Sequence, residues 1–230
     1  LLVGSAPLPH RPPVNPPSPN SGERRGGVRP SIIVIHYTGM ASCAAARARL
    51  CDPVAEVSAH WLSAEGGGVE GLVPEPLRAW HAGAGEWAGI ADVNSASIGI
   101  ELTNPGDAPF PLPQMVALEG LLGDILARWG IATHRVIGHS DMAPGRKIDP
   151  GPRFDWRGLA RAGLSVWPAG TSVGRPGEFV ADARRFGYGA WPEGDILRAF
   201  RLRFRPWATG PVDAVDAGLA AELAARFGAA

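Results

Sequence analysis

His36, His139 and Asp149 make up a donor set suited to zinc: two imidazoles and one carboxylate, with the fourth tetrahedral position left to water. Any one of these residues alone would be unremarkable, and the constellation carries the reading. His36 closes the apolar run Ile32-Ile33-Val34-Ile35, His139 follows Val136-Ile137-Gly138, and Asp149 comes ten residues after His139 across a loop punctuated by Pro and Gly. An open coordination position points to catalysis. Zinc brings the pKa of a bound water toward about 7 and polarises a carbonyl oxygen. A nearby carboxylate must then take the water's proton and return it to a leaving amine, and Glu101, near the end of Ser97-Ile98-Gly99-Ile100-Glu101-Leu102, is the candidate. Lys147, in the same loop as Asp149, is the only lysine of a chain whose other long basic side chains are all arginine. Lysine is distinct from arginine where a compact charge must stand close to a reacting atom.

These residues need a rigid frame, and the hydrophobic pattern supplies one. Residues 31–36 are a β-branched run suited to a strand buried on both faces. Further strands are expected over residues 57–62, 69–73, 97–102 and 135–138, with Gly66-Gly67-Gly68 as a hairpin turn. Residues 43–50 read as a helix stopped by Asp52-Pro53. Pro113 opens a longer helix in which Met115, Leu118, Leu122, Ile125, Leu126 and Trp129 keep the helical period up to Gly130. Alternating strands and helices indicate an α/β domain, and His36, Glu101 and His139 all stand at strand ends, where ligands collect in open α/β sheets.

The chain divides by composition into an extended arm (1–29) rich in Pro, Ser, Asn and Gly, an α/β domain (30–168), a Pro/Gly/Ser linker (169–177) and three short amphipathic segments (178–230). About fifty residues in three helices make a marginal core alone, so the last unit should dock on the first. The formal net charge is zero, which leaves no basic field for nucleic acid or anionic lipid. No apolar stretch is long enough for a transmembrane segment. Cys43 and Cys51 are eight residues apart on the expected helix, roughly 12 Å of rise and too far for a disulfide, so both should be free thiols. With no visible leader or lipid-attachment cysteine, the expected location is cytoplasmic, with the periplasm or outer membrane as the alternative. Of the other histidines, His60 should make a structural hydrogen bond, while His10 and His134 should face solvent. Trp87, Trp156 and Trp167 should be packing residues.

Four motifs taken in order make the pattern specific: Val34-Ile35-His36-Tyr37-Thr38, Ala79-Trp80-His81-Ala82-Gly83, Ser97-Ile98-Gly99-Ile100-Glu101, and Gly138-His139-Ser140-Asp141 continuing to Asp149-Pro150-Gly151-Pro152. From about Pro30 to Pro168 the chain resembles the zinc-dependent N-acetylmuramoyl-L-alanine amidases of the type-2 amidase family, whose fold is shared with peptidoglycan recognition proteins. The resemblance implies an α/β fold with a mixed central sheet flanked by helices. It puts the family's zinc ligands on His36, His139 and Asp149, its catalytic glutamate on Glu101 and its catalytic-loop lysine on Lys147. It further implies His81 and Asn94 as substrate-binding residues, and Arg78 is a candidate to hold a peptide carboxylate. The implied substrate is a muropeptide or peptidoglycan, cut between N-acetylmuramic acid, or its 1,6-anhydro form, and L-alanine. The last three helices resemble the small peptidoglycan-binding domain often fused to such enzymes, with the usual turn matched only loosely around residues 209–213. The alternatives are a recognition module that binds without turnover, which would need neither Glu101 nor Lys147, and a secreted or lytic wall hydrolase with the same chemistry.

Overall fold

The computed structural model describes residues 18–170 and 173–228. Its centre is a mixed five-stranded sheet. The strands are β2 (Ile32–Tyr37), β3 (Trp61–Ser63), β4 (Val69–Gly71), β6 (Ser97–Leu102) and β7 (Val136–Gly138), in the order β4-β3-β6-β2-β7. All neighbours are parallel except β3 and β4. A separate antiparallel ribbon joins β1 (Ser21–Gly22) to β5 (Arg78–Ala79). Strand expectations hold except over residues 72–73, beyond the end of β4, and over residues 57–60. There Ser58 N–H donates to Trp80 O at 3.1 Å and its hydroxyl to Asn20 O at 2.6 Å, so the chain runs as a loop until Trp61.

The period of two along β2 explains why both faces of the sheet are covered. Ile33 and Ile35 face one side with Ile98, Ile100 and Leu102 of β6, and pack on Leu118, Leu122 and Ile125 of α3 (Leu112–Trp129) and on Trp156 and Leu159 of α5 (Trp156–Arg161). Gly130, in the left-handed conformation at φ 67°, ends α3 as expected. The smaller α1 (Cys43–Leu50) covers the β3–β4 end through Ala46 and Leu50, and both cysteines are free thiols.

Ile32, Val34 and Ile137 face the opposite side. That side is covered by α6 (Phe179–Phe186), α7 (Glu193–Phe204) and α8 (Ala214–Phe227), with Phe179, Phe200 and Phe204 fully buried in one cluster with the strand residues. Each such Phe contributes about 1.5–3 kcal/mol of burial. The docking expected of a three-helix unit is therefore a shared core, of which Trp87 is also a part. Trp156 is likewise buried, and Trp167 packs against both clusters.

The arm expected over residues 1–29 is described only from residue 18, and His10 lies outside the described residues. Residues 18–29 lie along the body: Arg24 is buried and donates to Ser95 O (2.6 Å), Ser97 O (3.0 Å) and Glu75 O (2.7 Å). Part of the expected linker, residues 171 and 172, is also outside the description. His60 is fully buried, accepts from Gly99 N–H at Nδ1 (2.9 Å) and donates from Nε2 to Leu77 O (3.1 Å), the structural role expected of it. His134 differs from expectation: it stacks on Phe227, with ring centroids 5.6 Å apart, because α8 ends beside it. Among the described residues no helix is long and apolar enough to cross a membrane.

Candidate active site

Strand register brings the chemistry together. His36 pairs with Glu101 across β2 and β6, and Ile35 pairs with Gly138 across β2 and β7, so His139 stands one residue beyond the last pair on the other flank of His36. Alternation puts Ser97, Gly99 and Glu101 of β6 on the same face as Ile32, Val34 and His36. At His139 the chain turns directly into the short α4 (His139–Met142), then loops back to deliver Asp149. Ser140 N–H donates to Asp149 O at 2.9 Å, and the Asp149–Pro150 peptide is cis. Gly138 is required at this crossing, because a Cβ there would come within 2.7 Å of Pro150 Cδ.

Residues far along the chain hold α4. The Asp141 carboxylate accepts from Gly138 N–H (2.8 Å), from the Tyr188 hydroxyl (2.6 Å) and from Arg203 of α7 (2.9 Å). Arg203 is itself buried over the Trp156 ring at 4.2 Å, and it also donates to Val136 O and meets the Ser165 hydroxyl, both at 3.2 Å.

His36 Nδ1, His139 Nδ1 and Asp149 Oδ2 form a triangle with every side 3.0 Å, and all three residues are buried. Three donors bonded to one zinc at about 2.0–2.1 Å would be separated by roughly 3.3 Å, so the triangle is close to one face of a tetrahedron. His139 Nε2–H donates to Ala82 O at 2.9 Å, which leaves its Nδ1 lone pair facing the centre. Burial and the neighbouring His139 bring the His36 pKa down to about 4. Burial opposes the charge on Asp149, but the hydrogen bonds of His139 and His36 outweigh it and hold the carboxyl far below its ordinary value. His36 is thus a neutral imidazole beside an ionised carboxylate, the protonation states that bind a metal.

Glu101 is different. Its Oε2 is buried without a hydrogen-bond partner, and burial, reinforced by the Asp149 charge and opposed by Lys147, raises its pKa to about 8. Both carboxylates open onto a cleft of about 820 Å³, also lined by Tyr37, Trp80, His81, Arg146 and Lys147.

The remaining expected site residues separate. His81 lines the cleft, but its ring nitrogens face His36 Nε2 (3.0 Å) and the Ser97 hydroxyl (3.1 Å). Asn94 Oδ1 accepts from the backbone N–H groups of His81 (3.0 Å) and Ala82 (2.8 Å). Arg78 lies 3.7 Å from Asp92, and neither it nor Asn94 is among the cleft-lining residues. Arg146 was not singled out by sequence. Its guanidinium donates to Ala82 O (2.8 Å) and to Ala84 O, tying the loop that bears Lys147 and Asp149 to residues 82–84. Its place beside Lys147 was the available signal.

The family model for N-acetylmuramoyl-L-alanine amidase matches residues 26–152, more than half of the chain and all of the elements that carry the triangle and Glu101. The chain belongs to this amidase family. The amidase is 36% identical over 235 residues to N-acetylmuramoyl-L-alanine amidase AmiD of Escherichia coli (strain K12), covering 87% of this chain and 84% of that protein. It is 32% identical over 157 residues to 1,6-anhydro-N-acetylmuramyl-L-alanine amidase AmpD of Citrobacter freundii, covering 61% of this chain and 84% of that protein. Among solved structures, E. coli AmiD in complex with anhydro-N-acetylmuramic acid-L-Ala-D-gamma-Glu-L-Lys superposes on the amidase with a TM-score of 0.80. That match has 32% identity and covers 96% of this chain and 95% of that one. AmpDh3 of Pseudomonas aeruginosa with anhydromuramic pentapeptide gives 0.79 at 28% identity over 98% and 99% of the two chains. Both matches include the C-terminal helices, in keeping with their part in the core.

Proposed function

We propose that the amidase cleaves the amide between N-acetylmuramic acid, or its 1,6-anhydro form, and the L-alanine of a stem peptide, with a zinc ion held by His36, His139 and Asp149. The observation that carries this reading is the 3.0 Å triangle of donor atoms, all buried and all at the mouth of one cleft. When bound, zinc supplies a Lewis acid for the scissile carbonyl and acidifies water.

The chain's own residues do the rest. Glu101, on the strand beside His36, takes a proton from the attacking water and passes it to the departing alanine nitrogen. Burial suits it to this exchange: a carboxylate with no hydrogen-bond partner is a stronger base than one in water, and its acid form persists long enough to protonate the amine. Lys147, on the cleft wall, places its ammonium against the carbonyl oxygen as negative charge develops there. A module that only recognised peptidoglycan would have no use for a carboxylate with one oxygen buried and unpartnered at this position.

Elemental analysis and substrate digestion test the reading together. One zinc per chain is expected, chelation should abolish hydrolysis, and added Zn²⁺ should restore it. Mass analysis of anhydro-muropeptide and insoluble sacculi after digestion should show stem peptides released with a free L-alanine amine. Full activity in protein shown to be metal-free would overturn the zinc assignment.

A further inference from the structure

Resting on the metal-centre reading above, we infer that residues 81 and 82, backed by Ser97 and Asn94, are positioning residues that set the tautomers of both metal-facing imidazoles.

The argument follows single protons outward from the sheet. Ser97 Oγ lies 2.5 Å from Val93 O, a carbonyl that can only accept, so the one hydroxyl proton goes there. Ser97 Oγ can then face His81 Nε2, 3.1 Å away, only as an acceptor, which places the His81 proton on Nε2. A neutral imidazole protonated at Nε2 offers a lone pair at Nδ1, and that atom lies 3.0 Å from His36 Nε2. His36 therefore donates from Nε2, and its Nδ1 lone pair points at His139 Nδ1 and Asp149 Oδ2. With both rings neutral, no other assignment gives the Ser97–Val93, His81–Ser97 and His36–His81 contacts one proton each.

The next residue performs the same service for the other imidazole. Ala82 O accepts from His139 Nε2–H and so leaves His139 Nδ1 bare. Two consecutive residues thus orient two ligands, one through a ring nitrogen and one through a backbone carbonyl. Asn94 Oδ1 pins the pair by accepting from both of their N–H groups. The sheet is shaped to receive them: a Cβ at position 99 would lie 2.4 Å from His81 Cγ, so β6 carries a glycine where the ring crosses it. With both Nε2 protons committed outward, three acceptors converge at 3.0 Å without a hydrogen among them. A metal cation relieves that arrangement, and outer contacts of this kind typically change metal affinity by roughly 10–100-fold.

Two measurements on the full chain test this. The first is a long-range ¹H–¹⁵N spectrum of the zinc-loaded wild type, which should show His36, His81 and His139 all protonated at Nε2. A proton on Nδ1 of His81, or metal on Nε2 of His36, would overturn the inference. The second is zinc affinity of the apo protein by chelator competition. His81→Leu removes the acceptor and should weaken zinc by roughly 10–100-fold. His81→Asn restores an acceptor oxygen near the Nδ1 position and should recover most of the loss. Equal affinities for Leu and Asn variants, or a Leu variant as tight as wild type, would overturn it. A wild type that binds no zinc would instead overturn the underlying metal reading.

Discussion

The two halves of the active site are built differently. His36 and Glu101 belong to the sheet: they are paired residues of adjacent parallel strands, held by peptide hydrogen bonds within a few residues of each. His139, Lys147 and Asp149 belong to a loop whose geometry depends on residues far along the chain. Asp141 meets Tyr188 and Arg203, 47 and 62 residues away, the first in the connection between α6 and α7 and the second on α7, among the helices that cover the second face of the sheet. One half is therefore fixed as soon as the strands pair. The other is fixed only when the C-terminal helices have docked.

The largest effect should come from the ligands, where the two halves ought to behave alike. His139→Ala is expected to lose zinc and reduce hydrolysis to background, as is His36→Ala, and metal analysis of both folded variants checks it. Retained zinc in one alone would show that the halves do not share a centre. Next, Glu101→Gln should lower turnover by roughly 10² to 10⁴ with zinc still bound. Because burial raises the folded pKa of Glu101 to about 8, the unfolded chain releases its proton first, and ionisation costs stability as pH rises from about 4.5 to 8. The metal-free Gln variant should accordingly melt higher than wild type at pH 8, with a smaller difference at pH 5.

Arg203→Met addresses the loop half directly. It leaves the Asp141 carboxylate buried without its cation, a change that costs about 3–5 kcal/mol. Denaturant unfolding should show that loss, and zinc affinity should fall with it, whereas a strand-borne site would keep its affinity. Ending the chain near Pro168 removes all of α6, α7 and α8 and should yield insoluble protein, because the face made by Ile32, Val34 and Ile137 is then bare. A smaller effect is expected from Lys147→Arg: turnover down by roughly 10², with substrate affinity little changed. Wild-type turnover there would remove Lys147 from the chemistry.

The mildest prediction concerns acid. Burial, with the adjacent Arg24 charge and against the Leu77 hydrogen bond and Glu75, lowers the His60 pKa to about 3. The unfolded chain takes up that proton near pH 6.5, so the stability His60 contributes is complete above pH 6.5 and is lost as pH falls toward 3. Melting temperatures at pH 7.5 and 5 should differ less in His60→Gln than in wild type.

Sequence legibility follows the same division. β2 and α3 were readable because period two and period 3.6 are local properties, and with β2 came His36. The loop at residues 57–60 was not, since its hydrogen bonds run to Asn20 and Trp80 and leave no local trace. Nor could the sequence say that three small helices would cover the sheet, because an amphipathic face does not name its partner. The positioning role inferred for His81 was hidden for another reason: it depends on which atom of a neighbour carries a proton. One clue did stand in β6, where the alternate residues Ser97, Gly99 and Glu101 are small or polar between Ile98, Ile100 and Leu102. A strand with one apolar face and one such stripe has something other than a hydrophobic neighbour on the second side.

The pairing of His36 with Glu101 also works as a ruler. Their backbones are separated by one interstrand step, about 4.8 Å, which is set by the peptide hydrogen bond and is the same in every parallel sheet. Repacking the core cannot lengthen it, and a slip of one residue would turn one of the pair to the opposite face. The loops bearing Trp80 and Lys147 are free of that constraint, so substrate range can drift there over evolutionary time while the spacing of Glu101 and His36, the proposed proton carrier and metal ligand, stays constant.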